Sequence, residues 1–311
     1  MKKIGLALIV ALSSCSTENN NTETLQQEVE HIMVRIEGLT SLEDDSRVVR
    51  DENGKFLWEM NDSLGVFPNV GGQVGFGIDE SNVGTTDASF DGGGWALRNK
   101  YSYSAYYPFN FYNRNVNAVP MSYVGLVQDG NNSKSHLSDK LFMASAPVTV
   151  TDGSLYFSMG HRGTLTELAL TLPQAGTYTS VDMYTSGDIL PIEVTFDLQS
   201  EQLTQTNIKC SDHYTLKLNN VTTTAANEVV TVWFVTPSVV DKTKTLKVVV
   251  KDSQGYVYVS DILTSKDAIA TVNFPAKSKR TLKASPVMAD GFNGGIEDWQ
   301  NDGQDYGGVA E

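Results

Sequence analysis

Alternation at a period of two runs through most of this 311-residue chain, and it leaves few ways to fold. Ile32, Val34 and Ile36 recur at every second position of HIMVRIEG, and Ile192, Val194, Phe196 and Leu198 do so in PIEVTFDLQ. The same spacing places Tyr214, Leu216 and Leu218 on one side of HYTLKLNN, and Leu246, Val248 and Val250 on one side of TLKVVVKD. Side chains of a strand point alternately to opposite faces, so each segment reads as a strand with one face buried. VVTVWFVT at 229–236 and YVYVSDIL at 256–263 are denser apolar runs and predict strands buried on both faces. Turn signals such as Asp152-Gly153, Asn219-Asn220 and Gln254-Gly255 separate the runs. Helical spacing is confined to two short pieces, around Leu25–Glu30 and Lys266–Ile269. Short strands broken by frequent turns favour an all-β chain built of sandwiches. Irregular, aromatic, glycine-rich sequence gives way to cleaner alternation between about 150 and 162, so two domains are expected, 25–155 and 156–311. The second ends in a tail rich in Gly and Asp.

Charge narrows the partners. Thirty-seven acidic residues against 23 basic ones give a formal net charge of −14, which argues against nucleic acid, because phosphate contacts need a positive surface. The two cysteines, Cys15 and Cys210, have no CxxC neighbour, so neither metal nor redox pairing is indicated. Asn207-Ile208-Lys209-Cys210 suggests that Cys210 is a small core residue on a strand face.

Cys15 has a different setting. Lys2 and Lys3 precede an apolar run from Ile4 to Leu12, too short for a bilayer span of roughly 20 residues and suited to a secretion signal. Leu12-Ser13-Ser14-Cys15 resembles a bacterial lipobox. The resemblance implies removal of the signal peptide 1–14 and attachment of diacylglycerol to Cys15, with further acylation. Ser16 stands where an aspartate would favour inner-membrane retention, so the outer membrane is the expected destination. Residues 15–24 then form a lipid-tethered polar linker with no apolar face to pack.

Motifs for chemistry are sparse. His31, His136, His161 and His213 form no HExxH motif, and there is no GxSxG elbow or Walker-type loop. GGQVGFG at 71–77 and DGGGW at 91–95 read as loops. Asp290, Asn293, Glu297, Asp298 and Asp302 lack EF-hand spacing. Neither a catalytic site, a cofactor nor a metal is expected, and the chain is read as not an enzyme. YSYSAYYPFNFY at 101–112 concentrates aromatic residues that pack into a sandwich or, where exposed, stack on sugars.

Taken in order, several segments resemble the fimbrillin family of type V pilins, surface lipoproteins of Gram-negative anaerobes. They are the lipobox, the early strand Ile32–Ile36, the arginines of DDSRVVRDE, and WEMNDSLGVFP at 58–68. YSYSAYYPF at 101–109, FSMGHRGTLTELALTL at 157–172 and GGIEDW at 294–299 follow. The likeness spans nearly the whole mature chain. It implies two consecutive transthyretin-like β-sandwich domains and export as a lipoprotein to the outer membrane. There the protein would sit on the cell surface, in fimbriae, assembled with itself or with accessory subunits and facing a host or glycan receptor.

Assembly in that family follows a protease cut in a loop of the first domain, after which a neighbour's strand replaces the excised one. Here Ile32, Val34 and Ile36 mark the candidate exchanged strand, and Arg47 and Arg50 are the candidate cleavage positions. The C-terminal segment lacks the long regular strand expected of a shaft subunit, so shaft, tip and anchor roles stay open. The alternative is a monomeric surface lipoprotein that captures glycans through exposed tyrosines and through Trp95 and Trp299.

Overall fold

The structure is a computed structural model that describes residues 28–29, 31–38, 40–41, 57–93, 97–98, 101–150, 154–204 and 208–289. Cys15, Arg47, Arg50, Trp95, Trp299 and the acidic tail lie outside these residues.

Strand is the dominant element of the described residues, which otherwise hold loops, turns and two short 3-10 turns and no α-helix. The first strands are β1 (Glu28–Val29), β2 (His31–Ile36), β3 (Thr40–Ser41), β4 (Ser63–Pro68), β5 (Val74–Ile78) and β6 (Asp87–Asp91). Next come β7 (Leu97–Arg98), β8 (Ser102–Tyr107), β9 (Val119–Ser122), β10 (Leu126–Asp129), β11 (Met143–Ala144), β12 (Val148–Thr149) and β13 (Tyr156–His161). Seven of these close into a ring in the order β11-β13-β2-β6-β5-β4-β8, because the two residues of β11 pair with β13 on one side and with β8 on the other. Closure leaves no free sheet edge in the ring. The strand Tyr156–His161, expected to open the second domain, is thus paired into the first sheet.

The ring is filled by the face that alternation selects. Ile32, Val34 and Ile36 of β2 meet Leu64 and Val66 of β4, Phe76 of β5 and Phe90 of β6. Trp58 lies among them, edge-on to Phe90 at 4.9 Å and to Tyr107 at 5.6 Å.

Most of the strands that remain build a sandwich. In chain order the set begins with β14 (Gly163–Leu172), β15 (Gly176–Tyr184), β16 (Leu190–Asp197), β17 (Gln202–Leu203), β18 (Lys209–Ser211), β19 (His213–Thr223) and β20 (Glu228–Pro237). Then follow β21 (Val239–Thr245), β22 (Lys247–Asp252), β23 (Val257–Asp261), β24 (Leu263–Thr264), β25 (Thr271–Phe274), β26 (Ser278–Ala284) and β27 (Val287–Met288). One sheet of the sandwich runs β10-β19-β15-β22-β23-β27 and the other β20-β14-β26-β24, while β16 forms a small sheet with β9, β17 and β18, and β21 pairs with β25. Between the two sandwich sheets lie Leu168, Leu170, Val181, Leu216, Val232 and Val250, all at or near zero exposure. The expected all-β, sandwich-like class holds.

A third cluster joins ring and sandwich. Phe67 and Tyr106 on the outside of the ring pack with Phe142, Val194, Phe196, Trp233 and Val235. This explains why β4 and β8 are buried on both faces. Leu64, Val66, Tyr103 and Ala105 point into the ring while Phe67 and Tyr106 point at the sandwich. Arg162, the one residue between β13 and β14, is buried here. Its guanidinium donates to the Ala144 carbonyl at 2.8 Å, meets Glu201 at 2.5 Å and lies 5.3 Å from the centre of the Phe196 ring.

Gly163 enters the sandwich at a point of close backbone approach, where a Cβ would lie 2.2 Å from the Thr236 carbonyl oxygen. Gly163→Ala is expected to cost about 1–3 kcal/mol, because a backbone carbonyl cannot swing aside as a flexible side chain does. Gly176→Ala, with nothing within 4 Å of the added methyl, should change stability by under about 0.5 kcal/mol. Urea unfolding of the two variants side by side checks this.

Four local expectations are corrected. Within the piece around Leu25–Glu30, read as helical, Glu28–Val29 is a strand. Cys210 is exposed, because β18 is a short strand paired with β16 across a register shift at Pro191/Glu193 and does not hold a strict two-faced pattern. Segment 256–263 is not buried on both faces, since Tyr256 is exposed and Val257 and Val259 are only half-buried; its outer side has no covering layer. Lys266–Ile269 is a turn rather than a helix, with Asp267 at φ 61° and Ile269 bridging back to Leu263.

Candidate functional site

The three aliphatic residues singled out in the sequence sit together on β2, and β2 has an unusual seat. Ile32 is 1% exposed, Val34 0% and Ile36 9%, while His31, Met33 and Arg35 between them face outward. On one flank β2 runs antiparallel to β6, from His31 opposite Asp91 to Arg35 opposite Asp87. On the other it runs parallel to β13, from Met33 beside Tyr156 to Ile36 beside Met159. Parallel neighbours need a crossover connection, and here that connection is most of the first half of the chain. β2 is therefore a segment inserted between two strands that come from later sequence.

Its neighbours share that property. β1 pairs with β7, and β3 pairs with β26 in the sandwich. None of β1, β2 and β3 pairs with another of the three, and removing β2 would open the ring at one place, between β6 and β13. What would remain is a slot between β6 and β13, floored by Ala88, Phe90, Phe157 and Met159. Burying three aliphatic side chains at roughly 1.5–3 kcal/mol each contributes on the order of 5–9 kcal/mol to holding β2 in place.

Polar contacts close the C-terminal end of the strand. The Glu37 carboxylate accepts from the Lys277 ammonium at 2.7 Å and from the Ser158 hydroxyl at 2.9 Å, and Glu37 N–H donates to the Met159 carbonyl at 2.9 Å. Burial pushes the Glu37 carboxyl up, but its bonds to Lys277 and Ser158 outweigh that and hold it below its ordinary value. Glu37 and Lys277 stand 240 positions apart, so sequence gave no sign of the contact.

His161, expected to be a structural histidine at a strand end, is buried at the end of β13, and Lys277 N–H donates to its carbonyl at 3.1 Å. Burial pushes its imidazole down to about 4, with the Glu37 charge acting weakly the other way. In the unfolded chain the ring titrates near 6.5, so below that pH the unfolded state binds the extra proton. Its contribution is intact above about pH 6.5 and is lost as pH falls to 4, a loss on the order of 3 kcal/mol. Melting curves between pH 7 and pH 4.5 should fall more steeply for the native chain than for His161→Phe. Parallel curves would place the titration elsewhere.

At the other end of β2, His31 faces two carboxylates, with Nδ1 3.9 Å from Asp79 and Nε2 3.8 Å from Asp91. The ligand atoms of the three residues lie within 4.8 Å of one another on the surface. Each ring nitrogen addresses a different carboxylate, as in a surface ion-pair cluster.

The aromatic run divides. Tyr103 and Tyr107 fill the ring and Tyr106 the joining cluster, whereas Phe111 is 64% exposed and Tyr112 85%. The glycines of 71–77 lie in the turn before β5 and within it.

No family profile matches this sequence, and no curated protein matches it. Solved structures do. The chain is similar to a candidate cell adhesion protein from Bacteroides ovatus, at 12% identity over 85% of this chain and 95% of that one, with a TM-score of 0.52. The likeness is one of fold. A candidate cell adhesion protein from Bacteroides uniformis aligns at 14% identity over 78% of this chain and 99% of that one, with a TM-score of 0.46. A fimbrial protein from Bacteroides ovatus aligns at 11% identity over 84% of this chain but only 50% of that one, with a TM-score of 0.34. Among the described residues no helix is long and apolar enough to cross a membrane.

Proposed function

We propose that this chain is a structural and adhesive subunit of cell-surface fimbriae, tethered to the outer membrane through lipid on Cys15 and assembled by exchange of β2. The observation that carries the reading is the seat of β2: an alternating apolar strand whose two ladder partners, β6 and β13, both come from later in the chain. A cut after Arg47 or Arg50 would disconnect β1, β2 and β3 from everything that follows. Strand loss would then open a row of N–H and C=O groups on both flanks and an apolar floor between them. A strand from a second subunit would satisfy both, its backbone supplying affinity and its alternate side chains fixing register. The partners in this reading are copies of the same chain or accessory subunits, and the chain has no catalytic role.

Two experiments test it. Cys15→Ala is expected to move the precursor out of the membrane fraction, whereas retention would count against the lipid tether. Trypsin treatment of that soluble variant should cut within residues 42–56, release the β2 fragment and give SDS-resistant multimers in unheated gels. A cut chain that keeps its β2 fragment and stays monomeric would remove strand exchange from the account.

A further inference from the structure

A second site lies away from β2, where the loop after β8 overhangs the small sheet of β9 and β16. The cleft between them has a volume of about 620 Å³, within the range of small-ligand sites and at the junction of ring and sandwich where such sites concentrate. Phe111 and Tyr112 form its outer lip, edge to face at 5.7 Å, and together they are the most exposed neighbouring pair of large rings among the described residues.

Their exposure is built. Gln73 Nε2 donates to the carbonyls of Asn110 and Asn113, both at 2.7 Å, and the Tyr106 hydroxyl donates to Gln73 Oε1 at 2.7 Å. Asn110 Oδ1 accepts from the Tyr112 N–H at 3.0 Å, and the Arg114 guanidinium bonds the Phe111 carbonyl while lying 5.1 Å from the centre of that ring. Two apolar rings are thus held in solvent by a bonded loop, which is the preorganisation that makes stacking productive.

The facing wall decides what fits. Lys140 supplies donors, Glu193 acceptors, and Asn110 and Ser122 both, an arrangement matched by hydroxyl groups that donate and accept. A peptide strand is disfavoured: β9 borders the cleft and among the described residues pairs only with β16, but Pro120 within it has no N–H to offer an added strand. Glu193 is ion-paired with Lys209, and its carboxylate keeps lone pairs for a hydroxyl, so a neutral ligand bonds to it and leaves that pair intact.

We propose that this cleft binds a neutral hexose-based oligosaccharide, with the C–H face of one sugar stacked on Tyr112, Phe111 standing edge-on beside it as a side wall, and its hydroxyls on Lys140, Glu193, Asn110 and Ser122. The inference rests on the adhesive part of the function proposed above and is independent of strand exchange. The test uses the uncut soluble chain on a printed array of neutral and sialylated oligosaccharides, followed by titration of the strongest neutral responder. Phe111→Ala with Tyr112→Ala is expected to weaken that binding at least tenfold with the melting temperature unchanged, and Glu193→Gln to weaken it severalfold. Absence of binding to every neutral sugar, binding confined to sialylated ones, or binding untouched by the double variant would overturn the assignment. Because the chain is uncut, none of these results bears on whether it polymerises.

Discussion

Val34→Asp should strongly destabilise the folded precursor. Val34 is fully buried at the middle of β2, among Leu64, Phe90 and Phe157 on the inside of a closed ring. A carboxylate there loses its water and gains no partner, so the substitution costs upwards of about 4 kcal/mol, against a total stability on the order of 5–15 kcal/mol for a domain. Val34→Ala removes only two methyls and should cost about 1–3 kcal/mol. Met33→Asp provides the register control, because Met33 is 43% exposed on the outward face and its charge should cost under about 1 kcal/mol. Urea unfolding of the three variants gives the order directly. Equal losses at 33 and 34 would mean that β2 does not have one buried face.

Trp58→Ala is the second large effect, at about 3–5 kcal/mol. Trp58 is the first buried side chain described after the candidate cleavage segment, and it plugs the ring against Phe90 and Tyr107. Its backbone N–H donates to the Thr85 carbonyl at 2.9 Å, while its indole N–H is buried with no hydrogen-bond partner among the described residues. Trp58→Phe therefore gives up volume but no bond and should cost less than half as much as the alanine variant. Thermal unfolding separates them; a phenylalanine as damaging as alanine would mean that the indole nitrogen makes a bond after all. In the proposed exchange this residue stays with the cut subunit and keeps the ring filled while β2 is replaced.

Both predictions rest on features that differ in how far sequence reveals them. Ile32, Val34 and Ile36 were legible because burial of one strand face is a local, period-two property. Phe67 and Tyr106 were not, since each has the parity of an outward residue and is buried only because the ring's outside meets Phe142 and Trp233 of distant segments. Ring closure depends on two residues of β11 bonding both neighbours, which no local pattern announces. The same holds for the parallel seat of β2 beside β13 and for the Glu37–Lys277 bond that closes its end. Cys210 went the other way: a plausible alternation failed on a short strand with a shifted register. In the aromatic run, composition gave seven rings in twelve positions, but only packing divided them into ring interior, joining cluster and exposed lip.

Strand exchange is the central claim, and the N-terminus and intact mass of this protein sheared from the cell surface test it most directly. The expected result is a chain starting at Val48 or Asp51, recovered in SDS-resistant multimers and lacking its own Ile32–Ile36 strand. A chain starting at lipidated Cys15, with β2 still attached and no multimers, would contradict it.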